Sequence, residues 1–159
     1  MVDKTFGEKV EGNAYYDRLG AYLICMDGDK AAVVKTPKGN FLLGGGLEGN
    51  ENHMDCIKRE ILEETGFTAN VHSYICSAEE YWLHKELGYF HPVQYYYYGE
   101  LVEKIVEPVE IDHKLEWISI EDIETKMYIK AQGWAIKNFL ENYRKYDVTM
   151  KFIKTNEVG

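Results

Sequence analysis

The sequence predicts one α+β domain, and three observations carry that reading. Apolar runs of strand length recur between turn signals from residue 18 to residue 120. Two stretches, 51–65 and 128–146, carry apolar residues at helical spacing. Strands and helices do not alternate regularly, as a parallel βαβ sheet requires.

The elements follow in order. "RLGAYLICM" (18–26) is a strand, "DGDK" a turn and "AAVVKT" (31–36) the returning strand. A short strand "FLL" (41–43) leads into a glycine-rich loop, "GGGLEGNEN". Helix is predicted from about Glu51 to Thr65, with Asn50 or Asn52 as its cap and Gly66 as its stop. Two long strands, 68–82 and 91–103, flank a hairpin connection. "KLEWISI" (114–120) is a further strand, and Ser119 with Asp122 starts a short helix. The last helix, 128–146, carries Ile129, Trp134, Ile136, Phe139, Leu140 and Tyr143 as its core face. Pro37, Pro92 and Pro108 are expected in loops or at strand ends.

The chain of 159 residues suits a single domain, 1–159, with a core at about 16–146 and peripheral ends. Apolar residues make up 45% and charged residues 28%, as in globular proteins. No apolar run is long enough for a membrane-spanning helix. The N-terminal stretch lacks the layout of a signal peptide. Cys25, Cys56 and Cys76 share no metal-type spacing and read as buried reduced thiols, which fits a cytoplasmic protein. A net charge of −9 argues against backbone-driven binding to DNA or long RNA. An anionic ligand would need a bridging cation.

Residues 51–65 hold the densest chemistry. Met54, Ile57 and Ile61 form one stripe on a helical wheel, and Glu60, Glu63 and Glu64 cluster beside it. Arg59 stands four residues after Asp55, a spacing that permits an ion pair. Like charges on one helix face repel, and a hard divalent cation removes that cost. The preceding glycines let backbone approach a phosphate or turn a carbonyl toward a metal. Each feature alone is commonplace: a solvated acidic face, a flexible turn. The combination suits a metal-bridged polyphosphate.

The combination resembles the signature of the Nudix hydrolases: G, five residues, E, seven residues, R-E, an apolar residue, any residue, E-E, any residue, G, an apolar residue. Here it runs Gly45, Glu51, Arg59, Glu60, Ile61, Glu63, Glu64, Gly66, Phe67. Such a match arises by chance on the order of 10⁻⁹ per starting position. The resemblance implies the Nudix fold, a mixed β-sheet sandwiched between helices. It also implies Mg²⁺-dependent hydrolysis of a nucleoside diphosphate linked to another moiety, with Mn²⁺ able to substitute. Carried over residue by residue, Glu60, Glu63 and Glu64 are the metal carboxylates and Arg59 orients them. Glu51 is an additional carboxylate, structural or metal-linked, and the Gly45 carbonyl a further ligand. The chain departs from many members with Leu43 ahead of the paired glycines and Asn50 ahead of Glu51, changes that bear on loop shape.

Phosphoanhydride hydrolysis is mostly positioning and charge neutralisation. The base that takes the water's proton is Asp112, Glu110, Glu116 or Glu63. Arg18 is a candidate phosphate contact, and Tyr16, Phe41 and Trp82 are candidates for stacking on a base. In "QYYYYG" side chains alternate, so at most two tyrosines share a face, and packing is the expected role. The five histidines show no metal spacing. Nucleoside triphosphates, normal or oxidised, are the favoured substrates. Dinucleoside polyphosphates, ADP-ribose and nucleotide sugars are alternatives; the expected partner is a small nucleotide substrate, and the protein is expected to be a monomer or homodimer. A nucleotide-sensing module without catalysis would bind but not turn over. A purely structural acidic helix would bind no divalent ion.

Overall fold

The computed structural model describes residues 1–143. Its strands are β1 (Lys4–Phe6), β2 (Tyr16–Ile24), β3 (Met26–Asp27), β4 (Lys30–Thr36), β5 (Gly39–Phe41), β6 (Leu43–Gly46), β7 (Phe67–Glu80), β8 (Trp82–His84), β9 (Gly88–Lys104) and β10 (Lys114–Ser119). The helices are α1 (His53–Thr65), α2 (Ile123–Lys126) and α3, helical over 130–143. The expected end of the last helix, 144–146, lies outside the described residues.

Six strands form the main sheet in the order β1-β7-β9-β2-β6, with β8 also beside β9. It is mixed: β1 runs parallel to β7 and β2 parallel to β9, whereas β7 pairs antiparallel with β9 and β6 with β2. A second sheet has the order β10-β4-β3, with β5 on β4. Because side chains alternate along strands, the main sheet buries two faces. One packs Ile24, Cys76, Ala78 and Tyr96 with Ala131, Ala135, Ile136 and Phe139 of α3. The other packs Ala21, Leu23 and Cys25 with Cys56, Ile57 and Ile61 of α1. The α+β prediction therefore holds, with a mixed sheet between helices.

Tyr96 and Tyr98 belong to the α3 face and Tyr97 to the α1 face, so the tyrosine run is divided by the pleat. All three cysteines are buried, and none forms a disulfide among the described residues. Trp134, Leu140 and Tyr143 pack against the α3-side core as the wheel predicted.

Four expectations change. Gly44 to Gly46 are not loop; they form β6, paired with β2 from Gly20↔Gly46 to Leu23↔Leu43. Helix α1 starts at His53, because Asn52 Oδ1 accepts the Asp55 N–H at 2.8 Å. Pro92 lies inside β9, where the antiparallel partner changes from β8 (Trp82↔Phe90) to β7 (Glu79↔Val93). A residue without an N–H costs least at such a junction. The N-terminal arm contributes β1 to the sheet edge, held by the Asp3 carboxylate accepting the Ser77 N–H at 2.8 Å.

Candidate active site

Helix α1 organises the site, and its two ends differ. At its N-terminal side Arg59 is held as a fork. Its Nε and one terminal nitrogen each donate to Glu51 at 2.7 Å. The same terminal nitrogen also donates to the Gly46 carbonyl at 3.1 Å, and the other donates to Glu60 at 3.0 Å and Glu63 at 3.4 Å. No ion pair forms with Asp55, contrary to the spacing argument. The side chain turns toward β6 instead, where bidentate geometry is available. Hydrogen bonds from Arg59 and from the Glu48 backbone lower the Glu51 carboxyl to about 2. Bonding to Glu51 in turn holds the Arg59 guanidinium well above its ordinary value.

At the C-terminal end, Gly66 adopts φ 79° and donates its N–H to the Leu62 carbonyl at 2.9 Å. The helix's last carbonyls then capture the loop after β9. The Gly66 carbonyl accepts the Ile105 N–H at 2.9 Å, and the Glu63 carbonyl accepts the Val109 N–H at 2.9 Å. These carbonyls would otherwise be orphans of the helix end. Anchoring brings Glu110 and His113 to Glu64: each of the three places a ligand atom within 4.8 Å of the others. His113 Nε2 lies 3.0 Å from Glu110 Oε2, and its Nδ1 lies 3.1 Å from Asp112 Oδ1.

Glu64 is 7% exposed and accepts the Gly44 N–H at 3.1 Å. Burial, reinforced by the charges of Glu60, Glu110 and Glu63, raises its carboxyl to about 9. Burial also raises Glu60, against the opposing pull of Arg59. Glu60 lies directly over Gly45: a Cβ there would meet its carboxyl carbon at 2.5 Å. The Gly45 carbonyl accepts a long 3.4 Å bond from Cys56 Sγ.

A cavity of about 510 Å³ opens onto these carboxylates. Its acidic lining is Glu60, Glu64, Glu110 and Asp112, and its basic lining is Arg18, Lys38 and His113. The structure thus brings Glu60, Glu64, Gly45, Asp112, Arg18 and Phe41 to one cleft. Glu63 stands beside Arg59, outside the cleft's lining, with 39% of its side chain exposed. Three further expected residues lie elsewhere. Glu51 spends both oxygens on Arg59. Tyr16 stacks on Phe90 at 5.8 Å and lines no wall of the cleft, and Trp82 lines a neighbouring cavity. Met54, expected in the core, is 44% exposed, and Cys56 takes the buried position. His113 and Lys38 carry no sequence signal, because both reach the cleft through tertiary contacts alone.

The donors are mostly carboxylate oxygens, with one imidazole, and they suit a hard divalent cation. A mixed sheet between two helix layers thus carries a carboxylate cleft at the end of one helix. The NUDIX domain model matches residues 17–141, so the chain belongs to the Nudix family of pyrophosphohydrolases. No curated protein matches it. Among solved structures it is similar to a NUDIX hydrolase from Nitrosomonas europaea (TM-score 0.65, 19% identity, covering 78% of this chain and 88% of that one). It is also similar to a MutT NUDIX hydrolase from Burkholderia pseudomallei (TM-score 0.63, 21% identity, 77% and 98%). A third is an ADP-ribose pyrophosphatase from Streptococcus suis (TM-score 0.60, 14% identity, 80% and 92%). Among the described residues no helix is long and apolar enough to cross a membrane.

Proposed function

We propose that this protein is a Mg²⁺-dependent pyrophosphohydrolase of small nucleotides, with nucleoside triphosphates the favoured substrates. One observation carries the reading: acidic and basic side chains line one cavity together. Glu60 and Glu64 supply carboxylates for a cation, while Arg18 and Lys38 supply positive charge for phosphate. Mn²⁺ has the same preference for oxygen donors and substitutes.

Glu60, Glu63 and Glu64 would hold the cation, with the Gly45 carbonyl as a further ligand. It would supply Lewis-acid stabilisation of phosphate charge and activation of water. Arg59 fixes the rotamers of Glu60 and Glu63 through its fork. Arg18 contacts the phosphate chain, and Phe41, which also lines the cleft, is placed for stacking on the nucleotide. Glu110, whose Oε2 lies 3.0 Å from His113 Nε2, takes the water's proton. Glu63 and Asp112 are the competing bases. Asp112 is the weaker of these, with 65% of its side chain exposed and its Oδ1 turned to His113.

The test is release of phosphate and pyrophosphate from triphosphates, oxidised triphosphates, diadenosine polyphosphates and ADP-ribose, with Mg²⁺, with Mn²⁺ and with chelator. Chelator-sensitive turnover of triphosphates is expected. Turnover of ADP-ribose alone would replace the substrate assignment. Nucleotide binding without any turnover would favour a sensing module.

A further inference from the structure

Strands β2 and β6 meet at a patch that carries almost no side chains of its own. Gly20 pairs with Gly46, and the next pair on the same face is Tyr22 with Gly44. Side chains of β2 fill the space above these glycines. A Cβ on Gly46 would lie 2.7 Å from Arg18 Nε and 2.8 Å from one of its terminal nitrogens. A Cβ on Gly20 would lie 2.9 Å from the Tyr22 ring and 3.2 Å from its hydroxyl oxygen. One on Gly44 would lie 3.0 Å from the same ring. The glycine pair is thus a floor on which a guanidinium and a phenol lie side by side, with the phenol reaching back along β2 toward Arg18. Tyr96 backs the Tyr22 ring, their centroids 5.9 Å apart.

Arg18 and Tyr22 line both the carboxylate cleft and the neighbouring cavity of about 450 Å³, so they stand on the wall between the two. Among the described residues neither the Arg18 guanidinium nor the Tyr22 hydroxyl makes a hydrogen bond or an ion pair. Burial raises the phenol to about 12; Arg18 opposes that rise, and Glu64 and Glu60 reinforce it. The hydroxyl therefore keeps its hydrogen at neutral pH and is a donor. The ring is partly buried and packed against the α3-side core, which fixes where that donor points. A fixed, unused O–H beside an unused guanidinium lacks an acceptor that the chain does not supply.

Two converging donors, one of them charged, suit an oxyanion. A phosphate group presents several oxygens on one centre, enough for a guanidinium and a phenol together. We propose that Tyr22 is a substrate-contact residue, donating its hydroxyl hydrogen to a phosphate oxygen beside the one that Arg18 holds, and that Gly20 and Gly46 are bare so that both side chains can lie there. The inference rests on the nucleotide reading of the cleft. It concerns the phosphate chain alone and makes no distinction among bases.

The experiment uses Tyr22→Phe, which keeps the ring over its glycines and removes only the hydroxyl. Steady-state kinetics for ATP, GTP, CTP and UTP with Mg²⁺ are read beside calorimetric binding of imidodiphosphate, a non-hydrolysable pyrophosphate, with Mg²⁺. Tyr22→Phe is expected to raise KM about tenfold and to weaken imidodiphosphate binding by a similar factor. The kcat should change little, and all four nucleotides should respond alike. Gly46→Ala is the second variant. Its Cβ would displace the flexible end of Arg18 and should also weaken imidodiphosphate binding about tenfold. An active Tyr22→Phe enzyme with unchanged KM and unchanged imidodiphosphate binding overturns the contact and leaves the hydrolase reading standing. A KM effect confined to one base does the same, because Tyr22 would then touch the base. Tyr22-dependent binding of imidodiphosphate without turnover of any nucleotide upholds the contact and sinks the hydrolase reading. Failure of the natural protein to bind imidodiphosphate overturns the contact whatever the turnover.

Discussion

Glu51 and Glu64 belong to one motif and serve the two ends of one helix, yet their environments drive them in opposite directions. Glu51 is bound through both oxygens by Arg59, and its carboxyl falls to about 2. Glu64 is buried with other carboxylates nearby, and its carboxyl rises to about 9. The first end has its counter-charge built into the chain. The second end gathers carboxylates around Glu64, and under the proposed function a cation from solution would complete it. The comparison teaches that a glutamate's role depends on whether its partner is covalently present.

The largest effect should come from the incomplete end. Glu64→Gln keeps an acceptor for the Gly44 N–H but loses the charge, so turnover should fall by about 10³-fold with the fold intact. Circular dichroism and steady-state kinetics would check it, and natural turnover from a folded variant would refute the metal-ligand role. The complete end should respond in stability. Arg59→Ala leaves Glu51 without its fork and should lower the urea denaturation midpoint. Arg59→Lys should recover only part of this, because an ammonium cannot engage both oxygens as the fork does.

The pH dependence of the two ends should have opposite signs. Glu64 has its folded pKa raised, so the chelated protein binds more protons than the unfolded chain between about 4.5 and about 9. Its stability should therefore fall as pH rises through that window, by at most about 1.4 kcal/mol per unit. Mg²⁺ or Glu64→Gln should flatten the slope. Glu51 has its folded pKa depressed. Its contribution is complete above about 4.5 and is lost as pH falls toward about 2. Urea midpoints across pH, with and without chelator, would separate the two. The smallest effect is expected outside both ends: Met54→Gln, at an exposed position, should change stability by less than about 0.5 kcal/mol.

Much of helix α1 was legible because its determinants are local. The Asn52 cap, the Ile57 and Ile61 stripe and the Gly66 stop act within a few residues of one another. The three glutamates share an arc because helical geometry places them there. Met54 misled the wheel, since a wheel gives the angle of a side chain and not the edge of the neighbouring sheet. The glycine run misled for a similar reason. Gly44 to Gly46 look like a loop in composition, but β2 supplies a ladder partner at each position.

By itself the sequence determined the fold class, the helix bearing the carboxylates and the motif that places the chain in its family. Each of these depends on periodicity, capping or spacing along the chain. The tertiary structure decided that Arg59 pairs with Glu51 and not Asp55, and that Glu110 and His113 meet Glu64. It also decided that Tyr22 and Arg18 lie over the paired glycines Gly20 and Gly46. Those pairings join β2, β6, α1 and the loop after β9 across long sequence separations. They are set by strand register and by helix-end carbonyls, neither of which leaves a periodic trace in the sequence.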